Sequence, residues 1–310
     1  MITVLSGGTG TPKLLQGLVR VVEPADITVI VNTAEDLELS GLYISPDVDR
    51  VIYTLAGIIN EDVWYGIKGD TFEEHERIIR SGGKEFLKIG DRDRAIKLRR
   101  TEMMKRGATL SKATDEIRKS LGVVSRVLPM TDERVKKVIF TDGGAMSFHE
   151  FWVVRKAANR VLGVKFEGIE RARPAPGVLR AIEEGERVII GPSNPVTSIL
   201  PIISIKEIGE ALRKEREKVV AVSPIIGNVP VSGPAGVLMK GLGYEVSAAG
   251  VAEIYRKVAG KIVVDRKDAG LSSRIEALGL KVVVADLLMG DLQARERLAA
   301  AILKSMNSFP

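Results

Sequence analysis

The chain of 310 residues contains no cysteine and only two histidines, His75 and His149. Without thiols there is no disulfide, no thiolate nucleophile, no iron–sulfur cluster and no zinc site built on Cys. Two histidines also exclude a three-His metal site. Any metal must rest mainly on oxygen ligands, which points to Mg²⁺, Mn²⁺ or Ca²⁺. Aromatic residues make up only 5%, and basic residues are interspersed with acids. Nucleic-acid binders instead cluster their bases and supply aromatic stacking platforms, so no nucleic-acid partner is expected. There is no apolar run of membrane-spanning length and no charged-then-apolar leader, so a cytoplasmic protein without a membrane partner is expected.

What is present is a chain long enough to bury a large core, 45% hydrophobic and 28% charged, with 46 Lys+Arg against 40 Asp+Glu. A net charge of +6 suits anionic small ligands. Ile2–Leu5 is an apolar run that ends in Ser6-Gly7-Gly8-Thr9-Gly10-Thr11-Pro12-Lys13. Helical periodicity follows in Leu14, Leu15, Leu18, Val19 and Val22, and then a second apolar run, 27–31, ending at Asn32-Thr33. Strand, glycine turn, helix and strand make a βαβ unit, and continuously apolar strands are those of a parallel sheet covered on both faces. Residues 34–48 read as a loop. Residues 49–124 carry helical periodicity, and strands are expected at 126–128, 135–141, 148–154 and 164–170. Strand–helix alternation resumes from 176 to a closing helix at 293–304. The expected fold is one α/β domain over 1–310: a doubly wound, Rossmann-like, mostly parallel sheet with an embedded helical and β insertion at 60–170.

In such sheets ligands bind outside the carboxyl ends of the strands, so loops far apart in sequence should meet in one crevice. Four stretches qualify. The first, Gly7, Gly8, Thr9, Gly10 and Lys13, combines close backbone approach with a helix N-terminus, an anion site or simply a tight turn. It is neither a P-loop nor a full G-x-G-x-x-G, because Lys13 stands where the third Gly belongs. The second runs from Asn32 to Asp49 and holds Glu35, Asp36, Glu38, Asp47 and Asp49. These acids suit a hard divalent cation, with Asp36 and Asp47 as leading ligands, or a catalytic base; the plain alternative is a solvated loop with a helix cap. Asp49 is expected to open a helix running to Asn60. The third, Lys88 to Arg94 with Asp91 and Arg92, taken alone reads as a helix start with surface ion pairs. The fourth is a pair, 191–198 and 223–236. Their Ser193, Asn194, Thr197, Asn228, Ser232 and Gly233 offer uncharged hydrogen bonds to a nucleotide, although turns favour the same residues. His75 reads as a surface residue and His149 as structural. Trp64-Tyr65 reads as packing, or as an aromatic wall for a planar ligand.

The ordered set Ser6 to Leu15, Asn32-Thr33-Ala34-Glu35-Asp36, Ser45-Pro46-Asp47-Val48-Asp49, Gly90-Asp91-Arg92-Asp93-Arg94-Ala95, Gly191-Pro192-Ser193-Asn194-Pro195 and Ser223 to Asn228 resembles the 2-phospho-L-lactate transferase family from residue 1 to about residue 290. The resemblance implies transfer of a phospholactyl group from lactyl-diphospho-guanosine to the deazaflavin Fo, with loss of GMP and formation of an early coenzyme F-420 species. It also implies Mg²⁺ as cofactor, a homodimer, and contact of Asp49 and Lys88 with the deazaflavin. With it, Asp49 and Asp36 become the candidate catalytic carboxylates. The glycine loop is assigned to acceptor and diphosphate, and the Ser/Asn loops to the guanosine end. Two rivals are disfavoured by particular residues. A nucleotide-sugar-binding regulator of the gluconeogenesis-factor type carries an Asp-Asp-Gly-Gly-Ser-Ser-Gly pattern where this chain has Ala34 to Gly41. A nicotinamide dehydrogenase places an acid where this chain has Asn32.

Overall fold

The apolar runs that punctuate the sequence pair side by side. The structure, a computed structural model, describes residues 1–307. Seven strands, β1 (Ile2–Ser6), β2 (Ile27–Val31), β3 (Arg126–Pro129), β4 (Arg187–Ile190), β5 (Val219–Val222), β6 (Lys261–Asp265) and β7 (Lys281–Ala285), form one parallel sheet in the order β7-β6-β5-β4-β1-β2-β3. Side chains alternate across it. Val4, Val29, Ile189, Val220 and Val263 point into one core layer, and Leu5, Ile30, Ile190, Ala221 and Ile262 into the other. With both faces covered, every position in the central strands can be apolar, which is why their sequences show no polar alternation.

The strand order sets the crevice. From β1 the chain steps outward to β2 and β3. It then returns to lay β4 on the other flank of β1 and steps away through β5, β6 and β7. The direction reverses between β1 and β4, and the loops leaving these two carboxyl ends splay apart around an opening. Helix α1 (Gly10–Val21) leaves the first of them and packs on the closing helix Leu292–Asn307. A Cβ on Gly17 would overlap the Arg295 carbonyl, so glycine permits this approach.

Several local expectations are corrected. The 34–48 loop contains a small hairpin, Leu37–Leu39 with Leu42–Ile44, turned at Ser40 and Gly41 with φ of 52° and 76°. Helix α2 spans Pro46–Leu55. Pro46, with its pre-set φ, starts it before Asp49, and Gly57 with φ +70° follows its end well short of Asn60. The expected strand at 148–154 is a π-helical turn, Glu150–Val154, with only Phe151 buried. The aromatic and β-branched composition favours a strand, but the neighbouring three-stranded antiparallel sheet is completed by Lys136–Thr141, Gly144–Ser147 and Val161–Glu167, which leaves this run no partner. Within 60–170, helices α3 (Glu73–Arg80), α4 (Asp91–Lys105) and α5 (Leu110–Ser120) lead back to the main sheet through β3. No described helix is long and apolar enough to cross a membrane.

Candidate active site

At the carboxyl ends of β1, β4, β5 and β7 lies a cavity of about 570 Å³. It brings together Gly8, Thr9, Gly10 and Lys13 with residues 192–194, 197–198, 223–224, 231–235 and 287–290. Glu35, Arg50, Phe148 and Trp152 complete the wall.

The two central loops are fastened to each other. A Cβ on Gly10 would overlap the carbonyl oxygen of Pro192, so the glycine serves loop-to-loop packing and not only approach to a ligand. Ser193 is buried: its hydroxyl donates to the Gly7 carbonyl, lies 2.6 Å from the Thr11 hydroxyl and accepts from the Thr11 N–H at 3.3 Å. Asn194 caps the helical turn Pro195–Ile199 by accepting from the N–H groups of Val196 and Thr197. Beneath the glycine turn, Asp47 Oδ1 accepts from the Gly8 N–H at 2.9 Å and from Arg50 Nη1 at 2.6 Å, while its Oδ2 accepts from Asn32 Nδ2 at 2.9 Å. Burial and the neighbouring Glu35 push the Asp47 carboxyl up, and Arg50 opposes them.

The floor is charged in a way the sequence did not signal strongly. Lys137, in the strand Lys136–Thr141, is fully buried. It pairs with Glu35, donates to the Thr197 carbonyl at 2.9 Å and lies 4.1 Å from the centre of the Phe148 ring. Burial lowers its pKa, and Glu35 and Asp47 offset part of that. His149, expected to be structural, is pushed down to about 4 by burial, then by Lys137 and Arg50. It is therefore neutral near pH 7 beside this cluster. The local sequence offers little to separate Lys137 from its exposed neighbour Lys136; only the fold buries one and leaves the other in solvent. The 287–290 segment follows the last strand, so the rule that selected the other loops covers it too.

Most of the remaining candidates lie outside the cavity lining. Asp49 is 3% exposed, one turn inside α2. Its oxygens face Arg100 and Lys97 of α4, with Arg100 Nη1 at 3.2 Å and Lys97 at 3.0 Å. Burial raises its pKa, but the two cations outweigh burial and hold it below the usual carboxylate range. Lys97 also pairs with Asp93, which accepts from the Tyr53 hydroxyl at 2.7 Å. Asp36 accepts from the Tyr43 hydroxyl at 2.9 Å and the Ser45 hydroxyl at 2.7 Å, and burial raises its pKa well above the ordinary value. Lys88 is exposed with its ammonium 4.2 Å from the centre of the Phe72 ring. Asp91 accepts from the Thr71 hydroxyl and the N–H groups of Glu73 and Glu74, and Arg92 is exposed at the start of α4. Asn228 is exposed in the turn of the hairpin Ile225–Ile226/Val229–Pro230, where Gly227 and Asn228 have φ of 55° and 65°. Ser232 and Gly233 line the cavity, as do Gly8, Thr9, Gly10, Lys13, Ser193, Asn194 and Thr197. Trp64 is buried, and the cavity's aromatic wall comes from Phe148 and Trp152 instead.

Among the described residues no three His, Asp or Glu side chains converge as a metal site. Asp47 is buried and does not itself line the cavity, but its Oδ2 takes one protein hydrogen bond and so keeps lone pairs for a hard cation completed by substrate phosphate and water, the usual Mg²⁺ arrangement. Asp36 enters a different network from Asp47, with both oxygens engaged by hydroxyls.

Fold and site define a doubly wound α/β protein whose ligand cavity opens at the switch point between two glycine- and serine-rich loops. Residues 2–303 match the family model of 2-phospho-L-lactate transferase CofD, and the chain belongs to that family of transferases. It is 52% identical over 303 residues to the 2-phospho-L-lactate transferase of Methanothermobacter thermautotrophicus, covering 98% of this chain and 97% of that one. It is 48% identical over 313 residues to the 2-phospho-L-lactate transferase of Methanocaldococcus jannaschii, covering 100% and 99%. A crystal structure of a UPF0052-family protein from Bacillus halodurans shares the fold, with a TM-score of 0.68, 19% identity and coverage of 97% and 98%.

Proposed function

We propose that this chain moves the phospholactyl group of lactyl-diphospho-guanosine onto a ribityl hydroxyl of the deazaflavin Fo, releasing GMP and forming the first coenzyme F-420 species. The observation that carries the reading is the convergence, in one cavity of a chain of this family, of the cations Lys13 and Arg50 with the apolar side chains of Phe148, Trp152, Leu288 and Met289. The cations suit a diphosphate, and the apolar wall suits a planar heterocycle. The hydroxyl oxygen forms a bond to the lactyl-bearing phosphorus as the bond from that phosphorus to the GMP oxygen breaks, and the hydroxyl proton passes to a carboxylate. Positioning and charge neutralisation carry most of the acceleration in such a transfer. Glu35, held by Lys137 at the cavity wall, is the proton acceptor in this reading. Asp49 and Asp36 act from behind it: Asp49 locks α2 to α4, and Asp36 fixes Tyr43 and Ser45. Mg²⁺, when bound, would neutralise diphosphate charge, with Asp47 as its protein ligand. Ser193 acts through the loop clamp, while Asn194, Thr197, Ser232 and Gly233 form the guanosine end. Following the family resemblance, the protein works as a homodimer in the cytoplasm.

The test is to incubate the enzyme with Fo and lactyl-diphospho-guanosine, with Mg²⁺ or with EDTA, and weigh the product. A phospholactyl-Fo mass together with GMP is expected, lost in EDTA and inhibited more strongly by GDP than by ADP. Unchanged Fo, or equal inhibition by the two nucleotides, would count against the reading.

A further inference from the structure

Trp64 is a bulky, 7% exposed residue whose backbone has φ of +54°. Side chains other than glycine rarely adopt that conformation, and residues held there in spite of it tend to serve a site. Two cationic groups lie over its indole: Lys13 Nζ at 5.0 Å and the Arg295 guanidinium carbon at 5.1 Å from the ring centroid. The same residue's carbonyl accepts from Arg50 Nε at 2.8 Å. Arg50 is thereby fixed at both ends of its guanidinium, because Nη1 donates to Asp47 at 2.6 Å. Lys13 and Arg50 both line the cavity, whereas Trp64 lies behind them. Arg295 is held in turn by Gln16 and Glu61.

We propose that Trp64 is a positioning residue that presents two cations to the diphosphate. Its indole face restrains the Lys13 ammonium, and its carbonyl fixes the Arg50 guanidinium. A flexible lysine otherwise loses rotamer freedom each time it meets an anion, and a ring that already holds it reduces that loss. The left-handed backbone turns ring and carbonyl of a single residue toward two different cations. Burial and the nearby Arg295 also favour loss of the Lys13 proton, and an aromatic face offsets that by stabilising the charged form.

The inference rests on the cavity being the diphosphate site, and the experiment separates the two. Three variants, Trp64→Leu, Trp64→Phe and Lys13→Met, are compared with the parent enzyme for donor KM, kcat and GDP affinity by calorimetry. Trp64→Leu keeps the site apolar but has no π face. It should raise donor KM and GDP Kd by about threefold to tenfold, the size of one partly desolvated cation–π contact, with kcat within about twofold. Trp64→Phe should recover most of that loss. The Trp152→Phe protein leaves Trp64 as the sole indole, since the chain has two tryptophans. Its emission should shift on titration with GDP and not with guanosine. If Lys13→Met leaves GDP affinity intact, the diphosphate reading fails. If Lys13→Met weakens GDP but Trp64→Leu lowers only the melting temperature, Trp64 is packing and the inference is overturned. Should Trp64→Leu not fold, a GDP titration that leaves Trp64 emission unmoved while calorimetry shows binding overturns it equally.

Discussion

At the scale of single residues, Asp49 shows how burial changes a role. Near the start of a helix a carboxylate invites reading as a cap, or as an open acid at the crevice. It instead belongs to a buried set of Asp49, Asp93, Lys97 and Arg100, two acids against two bases, that ties α2 to α4. Removing one charge from such a set leaves another uncompensated in the interior, which costs about 3–5 kcal/mol. Asp49→Asn is therefore expected to lower the urea midpoint at pH 7 strongly, and turnover falls because α4 loosens. The folded carboxyl sits below its unfolded pKa of about 3.9. Its contribution is therefore present above that pH and fades as pH drops through the lower, folded value. Midpoints measured from pH 7 down to pH 2 should show a shallower acid limb in Asp49→Asn than in the parent. Parallel curves would mean that the carboxylate is not paired in solution.

At the scale of elements, the third predicted stretch turns out to be a mutual brace between two helices. Asp91, at the start of α4, accepts from the first N–H groups of α3, and Asp70, just ahead of α3, accepts from the N–H groups of Arg92 and Asp93 at the start of α4. Each helix N-terminus is satisfied by an acid belonging to the other's sequence neighbourhood. Asp91→Ala should lower the melting temperature modestly, as loss of a helix cap does, and leave the KM for Fo unchanged. A raised KM at unchanged stability would instead make Asp91 a substrate contact. Reciprocal capping of this kind is invisible to a local reading, because the acids and the amides they serve are about twenty positions apart. Asn228 is the converse case. Gly and Asn both with positive φ suit the primed turn of a two-residue hairpin, and the residue's turn chemistry accounts for it.

At the scale of the whole molecule, the cavity exists because the strand order reverses between β1 and β4, and the loops leaving those strands are locked by Gly10, Pro192 and Ser193. Gly10→Ala forces a methyl group against a backbone carbonyl that has no rotamer by which to escape. Overpacking of this kind costs about 1–3 kcal/mol. Because the displaced loop carries Asn194 and Thr197, GDP affinity should drop along with the melting temperature. Calorimetry on Gly10→Ala checks it, and a variant that binds GDP like the parent would show that the two loops are not coupled.

The sequence alone determined the α/β class, the parallel sheet and three of the loops that meet at the cavity, those after β1, β4 and β5. Those features follow from local facts: continuous apolar runs at strand length, glycine-rich turns at their carboxyl ends, and helical periodicity between them. It also bounded the chemistry, since a chain without cysteine and with two histidines must use oxygen donors and fixed cations. Tertiary structure alone decided which acids face the cavity and which are neutralised inside the protein. Glu35 and Asp49 look equivalent in the sequence, yet one lines the cavity and the other is enclosed by Arg100 and Lys97 from a helix some fifty positions away. It also brought Lys137 from a peripheral strand to the cavity floor, beneath a loop sixty positions on, and set Trp64 behind Lys13 and Arg50. The physical reason is one of range. Propensity and periodicity act over a few residues, whereas the charge state and direction of a buried side chain depend on partners that only the packed fold brings within hydrogen-bonding distance.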